Sequence, residues 1–199
     1  MQNYKDLSTG ELKSLASHGD SDAYYWLGED YEKRGDHQNA AAWWEKAVKE
    51  LPSDHKGFTQ AALHLALAHS TKSISQADDN EAIRLFELVP KLGPLSKLFL
   101  GVLYYNVQGR NNNQSKGVSL VEDAINLFIE EDGNDEYLNY NMCYEIAFIY
   151  NNEIRRNMVQ SQDVRKALDY FKKTVARGPG TQEAEAAKKC IENLERISI

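Results

Sequence analysis

Tyr24-x-x-Leu27-Gly28-x-x-Tyr31, followed by Ala40-x-x-x-Trp44-x-x-Ala47 and then Pro52, is the stretch on which the reading of the whole chain turns. Tyr24, Leu27, Gly28 and Tyr31 fall at i, i+3, i+4 and i+7, a single stripe of an α-helix. Ala40, Trp44 and Ala47 form a facing stripe on the next helix. Two amphipathic helices therefore share one seam. Gly28, Ala40 and Ala47 are small, which predicts a close approach of the two backbones, with Tyr24, Tyr31 and Trp44 filling the volume around it.

The same grammar returns three times downstream. Leu65-Ala66 and His69 precede Ala82-x-x-x-Phe86-x-x-Val89 and Pro90. Leu100-Gly101-x-x-Tyr104 precedes Gly117-x-x-x-Val121-x-x-Ala124, and Ile146-Ala147-x-x-Tyr150 precedes Ala167-x-x-x-Phe171-x-x-Thr174. From small residue to small residue the gap is 12 positions in the first copy, 16 in the second and third, and 20 in the fourth. The first copy resembles the tetratricopeptide repeat, matching its aromatic, Leu-Gly, Tyr, Ala, aromatic, Ala and Pro landmarks in class and spacing. The lengthened gaps, and Lys46-Ala47 after Trp43-Trp44, resemble the Sel1-like variant. The resemblance runs over roughly residues 11–178; His69, Val89 and Thr174 depart from the pattern.

The resemblance implies an all-α fold: a single domain over 1–199, a right-handed α-solenoid of about four helix-turn-helix repeats at about 21–54, 56–92, 93–133 and 135–178. Capping helices are expected at about 8–18 and 181–197, because a stacked array exposes apolar surface at both ends unless it is covered. In the last helix Ala184, Ala187, Ile191 and Leu194 make an inner stripe, with Lys188, Lys189, Glu192 and Glu195 outside.

Local signals place ten helices at roughly 8–18, 22–34, 37–51, 56–71, 79–91, 94–107, 115–131, 136–153, 162–177 and 181–197. Ser8-x-x-Glu11 and Asp78-x-x-Glu81 read as capping boxes, and Asp20, Asp36, Asp135, Ser161 and Thr181 as N-caps. Pro52, Pro90, Pro94 and Pro179 lie at helix ends, Pro94 in a first turn. Gly19, Gly35, Gly93, Gly133 and Gly178 read as C-terminal caps.

Composition narrows the function. The 199 residues are 42% apolar and 27% charged, with 30 carboxylates against 23 Lys and Arg for a net charge of −7, which disfavours a phosphate-backbone ligand. No nucleic acid is expected as partner. No run approaches eighteen apolar residues, so no membrane span is expected, and the expected location is cytoplasmic. Cys143 and Cys190 are too few for a zinc cage or a disulfide framework and read as reduced thiols. No phosphate loop, nucleophile elbow or His-Glu-x-x-His appears, so neither a cofactor, a metal nor a catalytic residue is expected. His64 and His69 point about 140° apart on a helix and cannot jointly hold a metal. Glu29 and Glu32 share a face, as a solvated charged face ordinarily does.

If the first helix of each pair lines a concave surface, the stripe beside the seam presents Tyr25, Glu29 and Glu32; Leu63, Leu67 and Ser70; Leu98, Val102 and Tyr105; and Tyr144, Phe148 and Asn151. These twelve, Ser70 exchanged for the off-seam Trp26, are the candidate partner-binding residues. The competing reading buries the apolar ones against neighbouring hairpins. The same contrast holds for Trp26 and Trp43, which either anchor a partner or pack on the preceding helix. The surface begins acidic and becomes apolar, which favours a basic protein or peptide partner and lacks the Lys, Arg and Asn of tetratricopeptide carboxylate clamps. The acidic turn Glu130–Glu136 has no calcium-loop order. It and the polar stretches 110–114 and 151–162 read as connections. The expectation is a non-enzymatic scaffold that binds a protein or peptide; the alternative is an immunity protein or inhibitor neutralising a toxin by stoichiometric binding.

Overall fold

The computed structural model describes residues 3–107, 114–132, 136, 138–155 and 161–197. They form, after a short 3-10 turn at Tyr4–Asp6, ten α-helices: α1 (Thr9–Ser17), α2 (Asp22–Lys33), α3 (His37–Glu50), α4 (Lys56–Ser70), α5 (Asp79–Glu87), α6 (Pro94–Asn106), α7 (Gln114–Asp132), α8 (Tyr140–Arg155), α9 (Ser161–Arg177) and α10 (Gln182–Ile197). Among the described residues there is no strand. Helices α2–α3, α4–α5, α6–α7 and α8–α9 pack as neighbours in pairs, α1 lies on α2, and α10 lies on α9 and α8. Each of α2, α4, α6, α8 and α10 also touches the next of that series, so these five form a continuous layer.

The seam residues explain the pairing. Gly28, Ala66, Gly101 and Ala147 are all buried. A methyl group on Gly28 would overlap the Trp44 indole, and one on Gly117 would lie 2.8 Å from the Gly101 carbonyl oxygen and 2.9 Å from the Tyr105 backbone nitrogen. Helices α6 and α7 therefore meet backbone against backbone. The departures from the repeat pattern have local reasons. His69 is buried and its Nδ1 accepts the Asp78 N–H at 3.0 Å, tying α4 to the start of α5. Buried Thr174 donates its hydroxyl to the Tyr170 carbonyl at 2.9 Å and so satisfies its polar atom within α9.

Most caps follow the sequence. Ser8 and Glu11 form a reciprocal capping box, Asp36 accepts from the Asn39 N–H and Thr181 Oγ1 from the Ala184 N–H. Pro94 opens α6, and Gly19 and Gly35 take positive φ of 88° and 75°. Five expectations need correction. Asp78 caps α5, but Glu81 turns to Arg84 (2.8 Å) instead of closing the box. Ser21, not Asp20, stands at the N-cap of α2, and Asp20 accepts the Asp22 N–H from outside. Gly93 has φ −71° and precedes α6 as its N-cap. The left-handed glycine after α9 is Gly180 (φ 83°); Gly178 is small because Tyr140 packs against it. Helix α5 stops at Glu87, closed by i→i−3 bonds from Leu88 and Val89. Gly133, Asp135 and the 110–113 and 156–160 stretches lie outside the described residues; α8 begins at Tyr140, where Asn139 Oδ1 accepts the Met142 N–H.

Apolar side chains gather into two main cores joined at α6. Leu100, Leu103 and Tyr104 face the core of α2–α5, while Leu98 and Tyr105 face that of α7–α10. A smaller cluster of Leu12, Ala23 and Leu27, with Trp43 packed on it, seats α1 as the N-terminal cover.

Candidate functional site

The layer α2–α4–α6–α8 carries side chains that the seam leaves over. On α2, Tyr25 meets Trp26 edge to face at 5.2 Å and is almost covered, and burial together with the Glu29 carboxylate pushes its hydroxyl up to about 12. Glu29 approaches His64 Nε2 of α4 at 3.5 Å, too long for a good hydrogen bond, and its Oε1 is buried without a hydrogen-bond partner. His64 in turn stacks on Trp44 at 4.9 Å, and the Trp44 Nε1 beneath it also lacks an acceptor. Glu32 stays half exposed and pairs with His37 at 2.7 Å.

Leu63 and Leu67 of α4 are partly buried against the first core, and Val102 of α6 against the second. On α8, Tyr144 stacks on Phe148 at 6.2 Å and meets Phe171 edge to face at 6.1 Å; Phe148 is 37% exposed. Four candidates are covered instead of presented: Tyr25, Leu98, Tyr105 and Asn151 are each 7% exposed or less. For Leu98 and Tyr105 the reason is the glycine contact at Gly117, which draws α7 onto α6 and seals both side chains into the second core. Trp26, expected off the seam, packs partly against both the α1 cluster and the first core; Trp43 packs beneath α1, stacked on Tyr24 at 5.9 Å with the Lys46 ammonium 3.9 Å above it.

Two residues on this layer are not among the candidates that the sequence marks. His64 sits next to Leu63 in sequence, yet only the arrival of α3 puts Trp44 beneath it. Glu145 of α8 is half-buried, and desolvation raises its carboxyl above the usual carboxylate value, opposed by a long 3.5 Å bond from Asn106 of α6. The layer thus carries carboxylates at Glu29 and Glu145 in poorly solvated surroundings, with an apolar aromatic pair at Tyr144 and Phe148.

This is the architecture of a helical-hairpin repeat protein. Residues 21–54, which are α2, α3 and the turn after them, match the family model of the tetratricopeptide repeat, so the chain carries a tetratricopeptide-type helical repeat. No curated protein matches the chain, and no solved structure does. Among the described residues, no three His, Cys, Asp or Glu side chains gather to hold a metal ion, and no helix is long and apolar enough to cross a membrane. Repeats of this type commonly serve as non-enzymatic platforms for protein–protein contact.

Proposed function

We propose that the protein is a non-enzymatic scaffold that binds a basic protein or peptide segment along the layer α2–α4–α6–α8, in the manner of Sel1-like arrays. The carrying observation is Phe148: an aromatic ring in the middle of α8, 37% exposed and stacked on Tyr144, that neither core uses. Aromatic rings left on an otherwise packed helix are the usual anchors of an interface. The poorly solvated carboxylates Glu29 and Glu145 supply the complement for a partner's cations, which would replace the water these groups have already lost. Leu63, Leu67, Val102 and the accessible edge of Trp26 extend the contact area between these points.

The test uses Phe148, which neither core takes up, together with its stacking partner Tyr144, which is partly buried against the second core. Phe148→Ala with Tyr144→Ser should weaken a partner captured from the native cell by tenfold or more, on the order of 1–3 kcal/mol for a hot-spot pair. The circular dichroism of the double variant should stay helical. Unchanged affinity in a folded double variant removes this layer from the argument. Truncating Tyr25 or Tyr105 is a poor probe, since both are core side chains.

A further inference from the structure

A groove of about 320 Å³ opens where the N-terminal turn, α2 and the start of α4 come together. That volume lies at the small end of ligand sites and suits one side-chain head group. Three of its lining residues are aromatic, Tyr4, Tyr25 and Trp26, with Tyr25 and Trp26 set at 68° to one another as adjoining walls. Asp22 lines it too; its Oδ1 is held 3.1 Å from His55 Nε2, while His55 Nδ1 accepts the Gly57 N–H at 3.1 Å, so imidazole and carboxylate are both fixed in place. Behind this wall Asp20 holds both sides of the mouth: its Oδ2 accepts the Tyr4 hydroxyl at 2.9 Å and its Oδ1 the Asp22 N–H at 3.1 Å. Burial and these two carboxylates push the Tyr4 hydroxyl up to about 12, so the ring stays neutral. The charges at the groove are therefore Asp20 and Asp22 against the exposed Lys56 at the rim.

We propose that this groove is a binding site for an alkylated ammonium group. Aromatic faces attract a cation through their quadrupole and favour one that carries little water. A bare lysine head brings three N–H donors and a tightly held water shell; beside the tyrosine hydroxyls the side-chain acceptors here are Asp22, already turned to His55, and the Gln60 amide, so most of that shell would be exchanged for aromatic faces. A trimethylammonium head has no N–H donors and is more weakly hydrated, so it gives up much less on entering an aromatic enclosure. The site is independent of the Phe148 and Tyr144 contact, which lies on α8, so either can fail without the other.

The test is a titration of the full chain with acetyl-trimethyllysine amide, acetyl-lysine amide, the neutral tert-butyl isostere of the trimethyl compound, and tetramethylammonium. The readout is the indole N–H signal of Trp26 in nitrogen-15 NMR. The trimethyl compound should shift Trp26 and bind roughly tenfold or more tighter than the lysine and the neutral isostere. Tyr4→Ala, in the N-terminal 3-10 turn and away from the two main cores, should weaken it about 3- to 30-fold, Tyr4→Phe far less, and Lys56→Ala should strengthen it. Tetramethylammonium binding as tightly as the peptide derivative identifies a free small ammonium compound as the source, and a tenfold preference for the derivative identifies a partner's methylated side chain; both support the site. Equal binding of the neutral isostere, no Trp26 shift at tens of millimolar, or an indifferent Tyr4→Ala overturns it.

Discussion

Gly28 carries no side chain, and the Trp44 indole uses the space: the indole is 1% exposed and has nowhere to go. Helix propensity alone would make Gly28→Ala favourable by about 1 kcal/mol. A methyl group overlapping a fixed ring costs about 1–3 kcal/mol or more, so the packing effect wins. Gly117→Ala meets backbone, the Gly101 carbonyl at 2.8 Å, and can be admitted only by pushing α7 off α6. Both variants should melt several degrees lower, since about 1 kcal/mol moves a chain of this size by roughly 2–4 °C. Gly10→Ala is the control: nothing but Ser8 Oγ, at 4.0 Å, stands near its added methyl, and thermal melting should be unchanged or slightly raised. A Gly28→Ala melt equal to that of Gly10→Ala would remove the close seam as the basis of the pairing.

At the scale of elements, α8 meets α6 through a carboxylate that would prefer water. The Glu145 carboxyl is raised by burial above its ordinary 4.5, and only the long Asn106 contact opposes the shift. A group with a raised native value favours the folded state fully below its unfolded value, and that contribution is lost as pH climbs through the native one. Glu145→Gln should therefore melt higher than the parent at neutral pH, with the gap closing as pH falls toward and below 4.5. Melts of both forms over that range decide it; a variant less stable at pH 7 would mean the carboxylate is favourably held. The same junction explains what the sequence could and could not reveal. The pairing of α2 with α3 is legible because Gly28, Ala40, Trp44 and Ala47 encode it within one short stretch. The fate of Leu98 and Tyr105 is not: their stripe reads as a free face until α7 closes on it, and no local pattern states how tightly a glycine contact will draw two helices together. The ammonium groove escapes for the same reason, being assembled from Tyr4, Trp26 and His55, which no single helical period connects.

On the scale of the whole molecule, the division of apolar contacts between two cores sets how the array comes apart. A stacked repeat protein is held by contacts between neighbours, so damage spreads by adjacency and not through one shared interior. Here α6 gives buried side chains to both cores, Leu100 and Leu103 on one side and Leu98 and Tyr105 on the other, while α7 sends only the partly buried Leu120 to the first. Ile146, fully buried in the second core, is the place to cut: Ile146→Ala should cost about 2–5 kcal/mol. If stability is distributed along the stack, amide exchange in α7–α10 should accelerate by the full amount, that in α6 by less, and that in α2–α4 hardly at all. Hydrogen exchange followed by mass spectrometry resolves these segments. A uniform acceleration from α2 to α10 would mean that the cores unfold as one unit, and that α6 transmits the loss instead of absorbing it. The graded result has a functional consequence: a ligand in the groove beside α2 would protect the first core selectively, leaving the α8 surface free to open and adapt to a second partner.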